Sequence, residues 1–224
     1  MKNRHVPIFI IFFILSSCSG GINDLDRSGL RGKVRSIKET QHDATHKEGK
    51  WVAGKQIIPG YRVVNYSEDG LYVNLLSIGS TGDTTAIASC KRENGEMVEE
   101  NYRVLRSNQS SRTILERVSK SQVNFELWQN NTLQYEGANY FDSKGRLVKQ
   151  VQVVNDREVV MHHIFEKNLL VESYQEELDG TRSATRKYDY ETFDDEGNWT
   201  MQLVYMEEDK ITPQVVIIRE FTYY

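Results

Sequence analysis

The histidines, carboxylates and cysteines decide first what chemistry this chain can carry. His162 and His163 are adjacent in a run of strand-forming residues after Val159 and Val160. Neighbours on a strand point to opposite faces, so the two imidazoles cannot share one metal ion without a bulge; one is expected to pack and the other to stay solvated. His42 and His46 have the i, i+4 spacing that would put two imidazoles on one face of a helix. Their surroundings, QHDATHKEGK over 41–50, offer no apolar stripe to dock a helix and no glutamate in the HExxH position, so a solvated hairpin tip is expected. The acidic runs Asp194-Asp195-Glu196, Glu176-Glu177 and Glu207-Glu208-Asp209 fall at turn signals and lack the spacing of a calcium loop. Cys90 ends the apolar stretch Ala86 to Ser89 and is expected to be a buried small hydrophobe. There is no GxSxG elbow, phosphate-cradling glycine loop or CxxC pair. The expectation is therefore no metal, no cofactor and no enzymatic activity. Of the aromatic residues, most alternate with polar neighbours as core positions do, while Trp51 and Tyr140 lie near turns and are candidates for a shallow stacking surface.

The front of the chain carries a different kind of chemistry. Lys2 and Arg4 precede an eight-residue apolar run, Ile8 to Leu15, too short to cross a bilayer of roughly 30 Å as a helix. Residues 1–17 read as a signal peptide. The formal charge of −4 falls to −6 once Lys2 and Arg4 are set aside, which gives no attraction to nucleic acid. Residues 18–30 are small, polar and aperiodic, the composition of a flexible tether. Only three prolines occur and no Pro/Ser-rich linker divides the rest, so 31–224 is read as one domain.

Turn residues then recur at intervals of about a dozen: Gly49, Gly70, Gly82, Gly95, Asn130-Asn131, Gly145, Asn168, Gly180 and Gly197 among them. The stretches between are rich in Val, Ile, Tyr, Thr and Phe. Tyr140 to Val154 and Thr192 to Tyr205 are one hairpin written twice, each with an aspartate (Asp142, Asp194) opening a turn that a glycine (Gly145, Gly197) closes at positive φ. Asn131 and Asn168 are expected to take the left-handed position elsewhere. Ser111 to Lys120 fits helix or strand equally. The expected fold is all-β, an antiparallel meander of repeated hairpins in one domain, curled or sandwich-like. No lipid-facing apolar band repeats across the strands as it would in an outer-membrane barrel.

Three resemblances bear on these residues. Leu15-Ser16-Ser17-Cys18, behind the apolar run, resembles the lipobox of bacterial lipoproteins. It implies acylation of Cys18 and attachment to the outer membrane, facing the periplasm or the cell surface. Phe141-Asp142-x-x-Gly145-Arg146-Leu147 and Phe193-Asp194-x-x-Gly197-Asn198-Trp199 resemble YD-type repeats of the Rhs kind. GKVRSIKE (32–39) and DEGNWT (195–200) are similar to stretches of Bacteroidetes-type lipoproteins of unknown function. Together these imply an envelope protein acting as a binding or scaffold module for an envelope protein or glycan. A carrier of lipid or another apolar ligand in a half-barrel, and an envelope-polymer hydrolase, are the alternatives.

Overall fold

The computed structural model describes residues 23–107, 109–154, 157–177, 179–206 and 211–224; the signal segment and Cys18 lie outside them. One short helix, α1 (Asp24–Arg27), precedes fifteen strands: β1 (Val34–Lys47), β2 (Lys50–Gln56), β3 (Tyr61–Tyr66), β4 (Tyr72–Ile78), β5 (Thr84–Glu93), β6 (Glu96–Val104), β7 (Ser110–Ser119), β8 (Gln122–Gln129), β9 (Thr132–Phe141), β10 (Leu147–Val154), β11 (Arg157–Glu166), β12 (Leu169–Glu176), β13 (Arg182–Phe193), β14 (Trp199–Met206) and β15 (Val215–Tyr223). The segment that fits helix or strand equally is strand β7, because its alternation of Thr113 and Leu115 with Arg112 and Glu116 finds partners on β6 and β8.

Apart from β2 and β3, which both pair with β1, each strand pairs antiparallel with its sequence neighbours, and β15 returns to pair with β1 from Val34↔Tyr223 to His42↔Val216. The meander is thus closed into a barrel, neither an open curl nor a sandwich. β2 and β3 both lie along the same edge of β1, opposite its distal and proximal halves, so they act as one interrupted strand and the ring has fourteen staves. Closure pairs the edges that an open sheet would leave free for aggregation. β1 and β2 extend into a long hairpin that also touches β15. Val216 and Leu203 are fully buried in this region although register turns them outward.

The repeated hairpin turn has one hydrogen-bond pattern. In Ser67–Gly70, Gly79–Gly82, Asp142–Gly145, Glu177–Gly180 and Asp194–Gly197, the last residue's N–H donates to the first residue's carbonyl, with a further backbone bond closing the strand ends. Asp142 accepts the backbone N–H of Lys144 and Arg146 at 2.9 and 3.0 Å and pairs with the Arg146 guanidinium. Asp194 likewise accepts the Asn198 backbone N–H at 2.8 Å, so in both Asp-x-x-Gly turns the aspartate side chain closes the turn from inside. Gly145 and Gly197 have φ of 77° and 83°, as expected. Asn131 has φ of 64°, but in the β11–β12 turn the left-handed residue is Lys167, not Asn168.

The segment read as a tether departs from that expectation where it is described. Residues 23–33 cross one end of the barrel as a plug. Asn23 caps α1 through a reciprocal bond with Asp26, and the N–H groups of Asp24 and Leu25 donate to the Gly70 carbonyl. Leu25 and Leu30 join a core of Val34, Ile37, Tyr66, Tyr72, Met97, Leu115, Val123, Phe125 and Phe141. Burying two leucines contributes about 1.5–3 kcal/mol each, enough to hold a segment whose composition otherwise favours solvent.

Candidate functional site: the barrel interior

The plug settles which face of each strand looks inward. α1 and the residues after it meet the turns of five hairpins or their flanks: Gly70, Arg92, Gly145, Asn168 and Asn198. Only a segment on the barrel axis reaches so many turns around one rim. Its core partners are therefore interior residues, and directly opposed residues share their face. From Phe125, register runs inward-facing through Gly137 and Gln152 to Val159; from Val123 it runs through Asn139, Gln150 and Met161 to Gln175.

So sorted, the interior has two unlike arcs. From β1 to β9 it is mostly apolar near the plug and is covered by Leu25 and Leu30. From β9 across β10 to β14 it is mostly polar: Asn139, Gln150, Gln152, His163, Ser173, Gln175, Arg186, Tyr188, Tyr190 and Gln202. Gln150 donates to the Asn139 side-chain oxygen at 2.8 Å and Gln152 to Gln150 at 2.9 Å. Ser173 and Tyr188 share a 2.9 Å hydroxyl bond, and the Tyr190 hydroxyl donates to the Leu170 carbonyl at 2.8 Å. Gln150, Gln152, Gln175 and Tyr188 are half-buried, walled by strands and still reached by solvent.

Burial pushes several titratable groups of this interior toward their neutral forms, while Arg186, opposite Ser173 on the inner face of β13, remains a cation. Burial lowers the His163 imidazole to about 4, with the neighbouring His162 adding to the effect. It raises Tyr190 to about 12 and Glu100 to about 7, the Tyr72 hydroxyl 3.3 Å from Glu100 offsetting part of the latter. Arg219, which projects inward, is matched by Glu39 at 3.0 Å and stacks 3.7 Å over Trp199. The arc can donate and accept hydrogen bonds, offers tyrosine faces and carries the Arg186 guanidinium.

The residues singled out from the sequence are dispersed. His162 and His163 do face opposite ways: His162 is outside, bonded to Glu176 and stacked 4.8 Å from Tyr174, while His163 is inside. His42 is strapped to the Gly54 carbonyl and the Thr40 hydroxyl, 3.1 and 3.0 Å away, and His46 packs edge-on against Trp51. Cys90 is half-buried, its thiol 3.4 Å from the Tyr72 carbonyl and pushed up by burial. Asp194 accepts the Tyr223 hydroxyl and the Asn198 N–H, a turn role. Among the described residues no group of three His, Cys, Asp or Glu side chains is placed to hold a metal ion. Trp51 on the projecting hairpin and Tyr140 on the outer wall of β9, under Lys149, are six staves apart and form no joint surface. What the sequence reading missed is the polar arc. Its one signal is the unusual LVKQVQVV of β10, where glutamines hold strand positions that alternate with lysine and valine.

The outer wall has its own depression of about 540 Å³ between β7 and β10, bordered by Ile114, Glu116, Glu126, Glu136, Ala138 and Val151. Charge recurs across the outer wall, with Lys38, Lys91, Arg112, Glu126, Lys149 and Lys187 on successive parts of the ring, so the described residues form no continuous apolar belt there. No described helix is long and apolar enough to cross a membrane.

No protein-family model matches the chain, and no curated protein matches it. The fold itself defines the class: a single-domain, closed antiparallel β-barrel, a form compatible with a ligand-binding or carrier role.

Proposed function

We propose that this chain is an outer-membrane lipoprotein anchored through Cys18, and that its barrel is a non-enzymatic binding module that takes its ligand inside. One observation carries the binding reading: the plug's two leucines pack on the apolar arc, while Gln150, Gln152, Gln175 and Tyr188 of the polar arc stay half-exposed. Interior hydrogen-bonding groups that are half-exposed have no structural need to be there, since an apolar lining would close the barrel more cheaply. An apolar cargo is less well served, because the apolar wall already holds Leu25 and Leu30. The lipobox-like Leu15 to Cys18 and the shared turn chemistry support the envelope address.

Two measurements test the two halves. Cys18→Ala should move the protein from the membrane to the soluble fraction, since charged residues recur around the barrel's outer wall where a bilayer would need an apolar belt; retention under high salt refutes the anchor. Native mass spectrometry of protein purified from envelopes should show a retained ligand, reduced in Gln175→Trp, which thrusts a large ring into the interior. Equal retention in both proteins refutes an interior site.

A further inference from the structure

On β9 and β10, Gln152, Gln150 and Asn139 form a ladder of side-chain amides along the inner wall, each donating to the next. Its last member is fully buried, and the Asn139 amide nitrogen has no hydrogen-bond partner. An unmade bond to a buried donor is costly, whereas an idle carbonyl oxygen is a milder defect. Amide nitrogen and oxygen are nearly the same shape, so the ladder accommodates the reverse polarity by turning all three amides over. Asn139 then donates to Gln150 and Gln150 to Gln152. The spare N–H moves from the buried end to Gln152, the half-exposed end, where it faces the interior.

Resting on the interior-binding reading above, we propose that this ladder is one side of a subsite for a neutral, polyhydroxylated ligand of the oligosaccharide class. Gln152 donates to a ligand hydroxyl oxygen, and that bond completes a ladder which is one partner short without it. Facing groups supply the other requirements of a sugar. Gln175 and the Ser173–Tyr188 hydroxyl pair, on β12 and β13, provide donors and acceptors across the arc, and the tyrosine presents a ring face. Burial holds His163 neutral, and Arg186, opposite Ser173, adds N–H donors that a ligand hydroxyl oxygen can accept from. Amide and hydroxyl groups fixed by one another are also pre-organised, which spares the ligand the cost of ordering them.

The experiment is isothermal titration of the purified chain with a panel of neutral hexasaccharides, including maltohexaose and chitohexaose, and with oleate. Wild type, Gln152→Leu, Gln152→Glu and the outer-wall control Glu126→Gln are compared, each checked by thermal melt. Gln152 is half-exposed at the end of the ladder, so neither change leaves a buried group newly unpaired at Asn139. A panel sugar should bind wild type and the control alike, and bind both Gln152 variants roughly tenfold more weakly. Sugar binding unchanged in both variants overturns the ladder as the subsite. Oleate bound, and weakened by Gln175→Trp, with no sugar bound overturns the ligand class while leaving interior binding in place. No binding by any probe, with no ligand retained on the purified protein, overturns both.

Discussion

Replacing Asp24 should unseat the plug. Its carboxylate is fully enclosed, accepts the Tyr72 backbone N–H at 2.7 Å, lies 3.5 Å from the Arg27 guanidinium and bonds Arg92, whose side chains are 5% and 17% exposed. Both cations are too enclosed for water to replace the lost partner. Removing one member of a buried ion cluster costs about 3–5 kcal/mol, because the remaining charge stays desolvated. For a chain of this size each kcal/mol lowers the melting temperature by roughly 2–4 °C, so Asp24→Ala should melt about 6–20 °C below wild type. Asp24→Asn should fall nearly as far, since it keeps the shape and loses the charge. Hydrogen exchange separates loss of the plug from loss of the barrel: the amides of Leu25 and Leu30, bonded to the Gly70 and Leu25 carbonyls, should exchange quickly while those of β8 and β9 stay protected. A melting point within about 1 °C of wild type, or Leu25 protection unchanged, would refute the view that a buried charge cluster holds the plug.

Three further outcomes follow from the same geometry. Gly197→Val should cost about 1–3 kcal/mol and Gly197→Asn less, read by denaturant melts, because the turn needs positive φ and a Cβ there would meet the Arg31 guanidinium 3.0 Å away; equal stability of all three would show that the turn is not under this constraint. Glu100 binds its proton more tightly folded than unfolded, its value rising to about 7, so its contribution to stability is present at low pH and is lost as pH rises toward 7. His163, lowered to about 4, acts oppositely: its contribution is present above about pH 6.5 and is lost as pH falls toward 4. The two slopes oppose each other between these values, so Glu100→Gln should stabilise the protein at pH 8 and leave a stability that rises from pH 4 to 6.5; an unaltered pH profile refutes the assignment. Cys90 should react slowly with iodoacetamide at neutral pH, because burial raises its thiol; a rate matching a free thiol, with the barrel intact, refutes that placement.

Much of the β architecture is written locally. Period-two segments between turn residues gave hairpins, and the Asp-x-x-Gly turns at 142–145 and 194–197 form as their residue types require, because aspartate, glycine and the bonds they make lie within five residues of one another. The opposite facing of His162 and His163 is likewise a property of any strand. The β7 segment was undecided for a physical reason: its ladder partners lie on other strands, and ten residues taken alone do not contain them.

Three things were decided only by the tertiary structure. Ring closure depends on β1 meeting β15, from Val34↔Tyr223 onward, and an open meander and a closed barrel use the same hairpins, so no local signal tells them apart. The plug reads as a tether because it has only two leucines among small polar residues; what makes Asp24 a buried anchor is Arg92, far along the chain, and what buries Leu25 and Leu30 is a cavity that exists only after closure. The polar arc was illegible because alternation marks the inner face only when that face is apolar. On β10 the inner Gln150 and Gln152 and the outer Lys149 are all polar, so the sequence determines that the strand has two faces, and the barrel alone determines which of them a ligand meets.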